Sequence, residues 1–295
     1  MSYLCSKFLK LIIMSKVSGL TTGLTGSAGQ WTFYKRLGTT VGKQKKETPS
    51  RKRLSDTQLK NNLRWGNLVA FWSATDGRLR NAFERKKSGQ TDFNMFMSNN
   101  LLGQGIYLTS EMVRARACVV APYMVSMGSL PTIEVVEAAD GRLRTDVRLG
   151  ERFSLTPATT IGELSRAIVA NNPDFAHGDR IVCLAMKQFD NPADGYPHAE
   201  CSIAFLQIDA YSNAPLSGHP ELMTAFADVD GRIGAASPIV GGMTWIHTRR
   251  LRSRVAVSTQ RLAVTGVPYA AYATPEALAT AIASYRRRIA PPLRR

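Results

Sequence analysis

Apolar positions follow two rhythms along this chain. Between Leu20 and Thr48 glycine and threonine dominate, and apolar residues alternate around Trp31, Phe33 and Val41. The stretch "QWTFYKRLGTTVGK" predicts two short strands flanking Leu37-Gly38, a hairpin with one aromatic face. "KKETPSRKR" follows as an exposed linker. Three helices are expected next. Ser55 opens S-D-T-Q, a capping box with Gln58 at its fourth place, and Leu59, Leu63, Val69, Ala70 and Phe71 recur near helical spacing. Gly66 weakens that helix without forbidding it. "TDGRLRNAFERKK" predicts a second helix with Leu79, Ala82 and Phe83 on one side. Thr91 caps a third, striped by Phe93, Phe96, Met97 and Leu101. Short amphipathic helices with short connections predict a small bundle packed on the hairpin.

Beyond Gly105 the rhythm changes to strands. "RACVVAPYMVS", "PTIEVVEAADGRLRTDVRL", "DRIVCLAMKQF", "AECSIAFLQIDA", "GMTWIHTRR" and "RVAVSTQRLAV" are rich in β-branched and apolar residues, with Gly, Pro, Asp and Asn between them. Asp140-Gly141 is a hairpin turn, because glycine supplies the positive φ. "TDGRLR" at 75–80 and "DGRIG" at 230–234 share that turn chemistry. One helix interrupts the strands: Thr160 and Glu163 form T-x-x-E, and Leu164, Ala167 and Ile168 line its apolar side. A last helix has Thr274 as N-cap and Pro275 at its first turn, then Leu278, Ala281, Ile282 and Tyr285. Its arginine-rich end suits the negative pole of the helix dipole. The expected fold class is α+β: a basic amino-terminal hairpin plus short helical bundle, then a mainly antiparallel β-sandwich or β-barrel. The expected segments are 1–13, an extension upstream of a natural-looking start at Met14; 14–104, hairpin and helices; 105–273, the β domain with one inserted helix; and 274–295, the carboxy-terminal helix and basic tail.

Charge sharpens this division. The chain has 295 residues, 44% hydrophobic, and a net charge of +16. That composition suffices for one large or two modest cores and is unlike that of a disordered chain. Residues 1–100 hold 18 Lys/Arg against 5 Asp/Glu, whereas 101–295 hold 20 against 17. After Lys87 only Lys187 remains. Composition therefore places a boundary near residue 100, and the basic amino-terminal third attracts polyanions. No stretch is long enough to span a membrane. The apolar run in "MSYLCSKFLKLIIM" is too short and interrupted for a signal peptide. The expected location is cytoplasmic or virion-associated.

Candidate chemistry is sparse. Cys5, Cys118, Cys183 and Cys201 form no C-x-x-C. They suit buried reduced thiols, although Cys183 and Cys201 occupy neighbouring predicted strands where they could face each other. His177, His198, His219 and His247 are scattered singly, and no metal site is expected. "GTTVGK" (38–43) is no phosphate loop: only three residues separate its glycines, and Gln44 stands where Ser or Thr is required. Nucleic-acid binding is better supported. Trp31, Phe33 and Tyr34 offer rings for stacking, and Lys35, Arg36, Lys43, Lys45, Lys46, Arg51, Lys52 and Arg53 offer phosphate contacts. The competing account makes the aromatics a small core and the lysines its solvated rim. In "RRLRSR" (249–254), strand alternation puts Arg250, Arg252 and Arg254 on one face, either a second basic patch or a solubilising hairpin edge. Glu134, Glu137, Asp140, Asp146 and Glu151 suit outward hairpin positions. Asp190, Asn191, Asp194, His198 and Glu200 lie in a loop between two good strands, where an ion could bind, but their spacing matches no defined loop. Ser258, Thr259 and Gln260 lack a paired His/Asp signal. No catalytic residue, metal or cofactor is expected.

Several phrases together resemble an uncharacterised Bacteroidota family known only as a domain of unknown function. They are Gly26/Gly29, Thr57/Gln58, Phe93–Phe96 with Asn99, and Gly128–Leu130, followed by "TTIGELSRAIVANNPDFAHGDRI", "WIHTRR" and "VAVSTQRLAV". The resemblance covers about residues 16–285 and implies no activity. The Gly-rich hairpin, basic linker and T-x-x-Q helix are also similar to the opening of some phage proteins. The leading expectation is a non-catalytic structural, assembly or interaction protein of a phage-like or mobile-element system, with protein partners or self-association. One alternative is a nucleic-acid-binding protein using the basic region. The other is an ion-binding or hydrolytic module at 190–200.

Overall fold

The computed structural model describes residues 15–16, 26–28, 30–36, 39–44, 55–103, 105–151, 153–252 and 254–289. The proposed upstream extension 1–13, Met14, Gly29, the Leu37-Gly38 turn, Lys45, Lys46, Arg51, Lys52, Arg53 and the tail 290–295 lie outside these residues. The chain forms two compact units, 1–54 and 55–295. Among the described residues no helix is long and apolar enough to cross a membrane.

The first unit is an antiparallel sheet. Strands β1 (Ser15–Lys16), β2 (Gly26–Ala28), β3 (Trp31–Arg36) and β4 (Thr39–Gln44) lie in the order β1-β4-β3-β2. The expected hairpin is present, with Trp31 opposite Gln44 and Arg36 opposite Thr39.

The second unit begins with α1 (Asp56–Ala74), whose Ser55–Gln58 capping box is formed. Helices α2 (Asp92–Asn100) and α3 (Ser110–Arg114) follow, capped by Thr91 and Thr109. Between α1 and α2 the expected second helix is absent. Asp76 and Gly77 turn the chain with φ of 49° and 66°, and Asn81 takes φ 56°. The segment then runs extended beside residue 127: Glu84 N–H donates to Met127 O and Met127 N–H to Ala82 O. Leu79, Ala82 and Phe83 are buried as expected, but side-chain carboxylates replace the helical hydrogen bonds. Asp92 accepts from the N–H groups of Asn81 and Phe83 and from Lys86 Nζ. Helical spacing of three apolar residues was a coincidence that the Asp-Gly turn overrides.

The remaining elements are β5 (Met124–Ser126), β6 (Val135–Glu137), β7 (Leu143–Arg148), α4 (Ile161–Asn171), β8 (Arg180–Asp190), β9 (Pro197–Gln207), α5 (Pro220–Ala225), β10 (Ala227–Val229), β11 (Arg232–Gly234), β12 (Gly241–Arg250), β13 (Val255–Val257), β14 (Gln260–Arg261), β15 (Ala263–Thr265) and α6 (Pro275–Ile289). The α+β class holds, and its sheets are antiparallel. The central sheet has the order β13-β12-β8-β9, with β15 also on β12. A second sheet, β10-β11-β7-β6, packs on it. Both are open paths, sandwich-like rather than a closed barrel.

Alternation along β8 explains the layering. Ile181, Cys183 and Ala185 enter a core shared with Leu143 and Val147 of β7, Leu164 and Ile168 of α4, and Trp245 of β12. Leu184 and Met186 point into another core with Leu68 and Phe71 of α1 and Phe96 and Met97 of α2. A sheet covered on both faces needs a nearly continuous apolar run, as β8 and β12 have. This also removes the boundary near residue 100. Residues on either side of it share one core, so the helices form a layer of the β unit. Val69, counted above among the buried stripe, is 41% exposed, and Leu68 takes its place.

The run 116–126 is strand only at Met124–Ser126. Ala117–Ala121 is buried yet irregular, and side chains satisfy its backbone. Asn67 Nδ2 donates to Val119 O, and Asn67 Oδ1 accepts from Val119 N–H, each at 2.8 Å. Gln188 does the same for Val120 N–H and Cys118 O. Such pairing is required because an unsatisfied buried polar group costs about 1–3 kcal/mol.

Candidate functional site

The basic residues of the first unit sort by strand register. Residues directly opposite each other share a face of a sheet. Trp31, Phe33 and Lys35 lie opposite Gln44, Gly42 and Thr40, whereas Thr32 and Tyr34 lie opposite Lys43 and Val41. Trp31 and Phe33 share a face as expected, whereas Tyr34 lies on the other, because a period of two separates it from Phe33. On the first face Phe33 stands between Gly42 of β4 and Gly26 of β2, neither of which offers it a side chain, and it is half-buried. Trp31 beside it is 37% exposed, and Lys35 is exposed. On the second face Lys43 is exposed next to half-buried Tyr34. Arg36 ends β3, paired with Thr39.

The second basic patch has a different geometry from the one expected. Arg250 pairs with Val255, and Leu251 N–H donates to Arg254 O at 2.8 Å. Leu251, Arg252 and Arg254 lie in the tight connection between β12 and β13, which interrupts strand alternation. Arg250, Arg252 and Arg254 are all exposed, but they surround a hairpin tip rather than line a strand face.

The 190–198 loop uses its polar groups on itself. Asn191 Oδ1 accepts from Ala193 N–H, Asp194 Oδ1 from Tyr196 N–H, and His198 Nε2 lies 3.1 Å from Asp194 Oδ2. The Tyr196 N–H bond is the main cause that holds Asp194 below the usual carboxylate range. Among the described residues no three His, Cys, Asp or Glu gather as a metal centre requires. Cys183 and Cys201 also do not face each other. Cys201 is paired with Met186 and Cys183 with Ala204, and the two thiols enter opposite cores.

One constellation escaped the sequence. Asp179, His247 and Arg249 come together beneath the loop between α4 and β8. Asp179 Oδ2 is 2.8 Å from His247 Nε2 and 2.7 Å from Arg249 Nη2, and Oδ1 accepts from Arg249 Nε at 2.7 Å. Ala176 N–H adds a fourth bond to the carboxylate, and Phe175 stacks on the imidazole with centroids 4.3 Å apart. His247 and Asp179 are 1% and 2% exposed. Burial pushes the Asp179 carboxyl up, but the bonds from Arg249, Ala176 and His247 outweigh it and leave the group below its ordinary range. Burial lowers the His247 pKa more than Asp179 raises it. The neutral imidazole then donates its Nε2 proton to the carboxylate. His247 also lines a cavity of about 200 Å³ with Asp146, Arg148 and Asp174.

This cluster fixes the 172–179 loop. Arg249 Nη2 also donates to Asp174 O. Among the described residues no nucleophile is aligned on the imidazole: Ser258 Oγ accepts from the His247 backbone N–H and from Gln260 Nε2. The i, i+2 spacing of His247 and Arg249 on a strand was the signal available in sequence. Their acidic partner, 68 and 70 residues away, left none. The chain matches no family model, no curated protein and no solved structure, so its function is argued from its own geometry.

Proposed function

We propose that this is a non-catalytic docking protein that binds single-stranded nucleic acid through its amino-terminal unit. The observation that carries this is the segregation of charge. Residues 1–54 hold 11 Lys/Arg against one acid, and residues 55–285 hold 22 against 21. Nearly all the field outside the arginine-rich carboxy-terminal end thus comes from one small unit. Its sheet supplies the second requirement, a ring platform. Trp31 and Phe33 stand two residues apart on β3, about 6.6–7 Å along the strand, with Lys35 next in line. Aromatic rings accept any base by stacking, and ammonium groups follow the phosphates.

The test is fluorescence anisotropy of labelled dT20 with the full chain between 50 and 200 mM NaCl. The expected affinity falls steeply with salt, with a log–log slope of about −0.7 per phosphate contact. Lys35→Gln should flatten that slope by about 0.7, and Lys43→Gln, on the opposite face, should leave it nearly unchanged. Trp31→Ala should weaken binding about 5–150-fold, corresponding to about 1–3 kcal/mol per stacked base, with the slope unchanged. No anisotropy change at 50 mM salt, or binding indifferent to all three substitutions, would refute the proposal.

A further inference from the structure

An apolar recess of the second unit carries one cationic side chain in its wall. It holds about 650 Å³ between α1, α3, α6 and the start of β9. Trp65, Val69 and Val113 supply its apolar surface, and Arg116 and His198 its polar end. Trp65 and Val69 are each 41% exposed, on the outward side of α1. Gly66 lies between them. A Cβ there would sit 3.1 Å from Val113 Cγ2, so the glycine lets α1 and α3 approach and shapes the recess.

Arg116 is the informative residue. It follows the last turn of α3 in the left-handed region, φ +60°, where its N–H bonds to Val113 O and Ala117 N–H to Met112 O. Glycine is the usual residue at that helix-ending position, because a side chain there is strained. Here the strain carries a guanidinium to the recess, and that guanidinium makes no hydrogen bond or ion pair with the described residues. No carboxylate lines the recess. The neighbouring imidazole of His198 is already paired with Asp194. Strain held at a ligand-facing residue is a common mark of function.

We infer that this recess binds a small amphipathic monocarboxylate, with the carboxylate on Arg116 and the apolar tail along Trp65, Val69 and Val113. Charge complementarity selects the anion, and a planar guanidinium takes a carboxylate through two parallel N–H donors. The size and the apolar wall select a compact organic body over inorganic phosphate.

The probes are octanoate, 1-octanol and octylammonium, titrated calorimetrically into the full chain. Octanoate should bind one site at least ten-fold more tightly than octanol, and octylammonium not measurably. Arg116→Gln should bring octanoate to within about two-fold of octanol while leaving octanol binding unchanged. Arg116→Gly should lose the same preference and, by relieving the strained φ, raise Tm by about 2–4 °C. That pairing of higher stability with lost anion binding is not what a purely structural arginine gives. Equal affinities for octanoate and octanol overturn the inference. So does an octanoate preference that survives Arg116→Gln, which would assign the anion to the basic first unit.

Discussion

Replacing Asp179 by asparagine is the sharpest test of what holds the second unit together. The side chain keeps its shape and loses its charge. The native carboxylate accepts four hydrogen bonds: two from Arg249, one from His247 and one from Ala176 N–H. Asparagine has one acceptor oxygen. If that oxygen takes the Oδ2 position, its amide nitrogen faces Arg249 Nε; if reversed, it faces three donors at once. One charge-assisted bond is therefore lost outright, at about 1.5–3 kcal/mol, and the others weaken. Asp179 is 2% exposed, so water cannot take over. The expected cost is about 3–5 kcal/mol, the range for breaking one side of a buried ion pair. The control is Asp230→Asn. Asp230 is paired with Arg144 at 3.2 Å, but its side chain is 66% exposed. Asparagine also tolerates its φ of 55°. That substitution should cost less than about 1 kcal/mol. Urea unfolding followed by circular dichroism and tryptophan fluorescence reads both. With a slope of about 3 kcal/mol/M, Asp179→Asn should lower the midpoint by about 1–1.7 M at unchanged slope. Equal midpoint shifts for the two variants would refute the argument, since burial would then make no difference to an ion pair of this protein.

Two further outcomes follow from the same groups and from the thiols. The His247 pKa is lowered in the fold, so the unfolded chain binds that proton first. Stability is complete above about pH 6.5 and declines as pH falls, with a second loss below about pH 3.8 as the depressed Asp179 protonates. Midpoints measured from pH 8 to pH 4 should fall with acid in the native chain, and His247→Gln should flatten the first step. Burial pushes the Cys118 thiol up to about 12, Cys201 to about 11, and Cys183 well above its usual value. In a Cys5→Ser background, Ellman's reagent at pH 8 should find no reactive thiol in the folded protein and three in guanidinium. A rapidly reactive native thiol would contradict the described burial.

What could be read in advance divides by range of interaction. Caps are local, and Ser55–Gln58, Thr91, Thr160–Glu163 and Pro275 stand where the sequence placed them. The Asp-Gly turns were equally local. Long strands with alternating or continuous apolar runs, such as Arg180–Asp190 and Gly241–Arg250, were legible too. Two of the failures involve partners distant in sequence. Leu79, Ala82 and Phe83 fit a helical stripe, but Met127 and the Asp92 carboxylate compete for that backbone. The run 116–126 has strand composition, but Asn67 and Gln188 supply its hydrogen bonds. Gly128 could be quoted as part of a phrase, but its reason could not. A Cβ there would collide with the Glu84 carboxylate and with Val257 O. Glu84 holds the adjoining backbone by accepting from Ser129 N–H and Val257 N–H.

The candidate interface shows the same division. That the amino-terminal region is basic needed only counting, whereas which rings share a face needed register. Concentrating charge changes what it can do. A net +16 spread over 295 residues would give a diffuse attraction, reduced at physiological salt to a reach of about 8 Å. Residues 1–54 carry +10 of that excess, whereas residues 55–285 carry only +1, so the excess concentrated in the first unit defines a direction of approach. In the proposed binding mode a polyanion drawn by that field would meet exposed Trp31 and half-buried Phe33, which carry no charge and so would add contacts that salt does not screen. The two components separate experimentally for that reason. Lysine substitutions should change the salt slope, and ring substitutions should change the intercept. A purely solvated basic rim, with the rings serving only as a core, would give the first effect without the second.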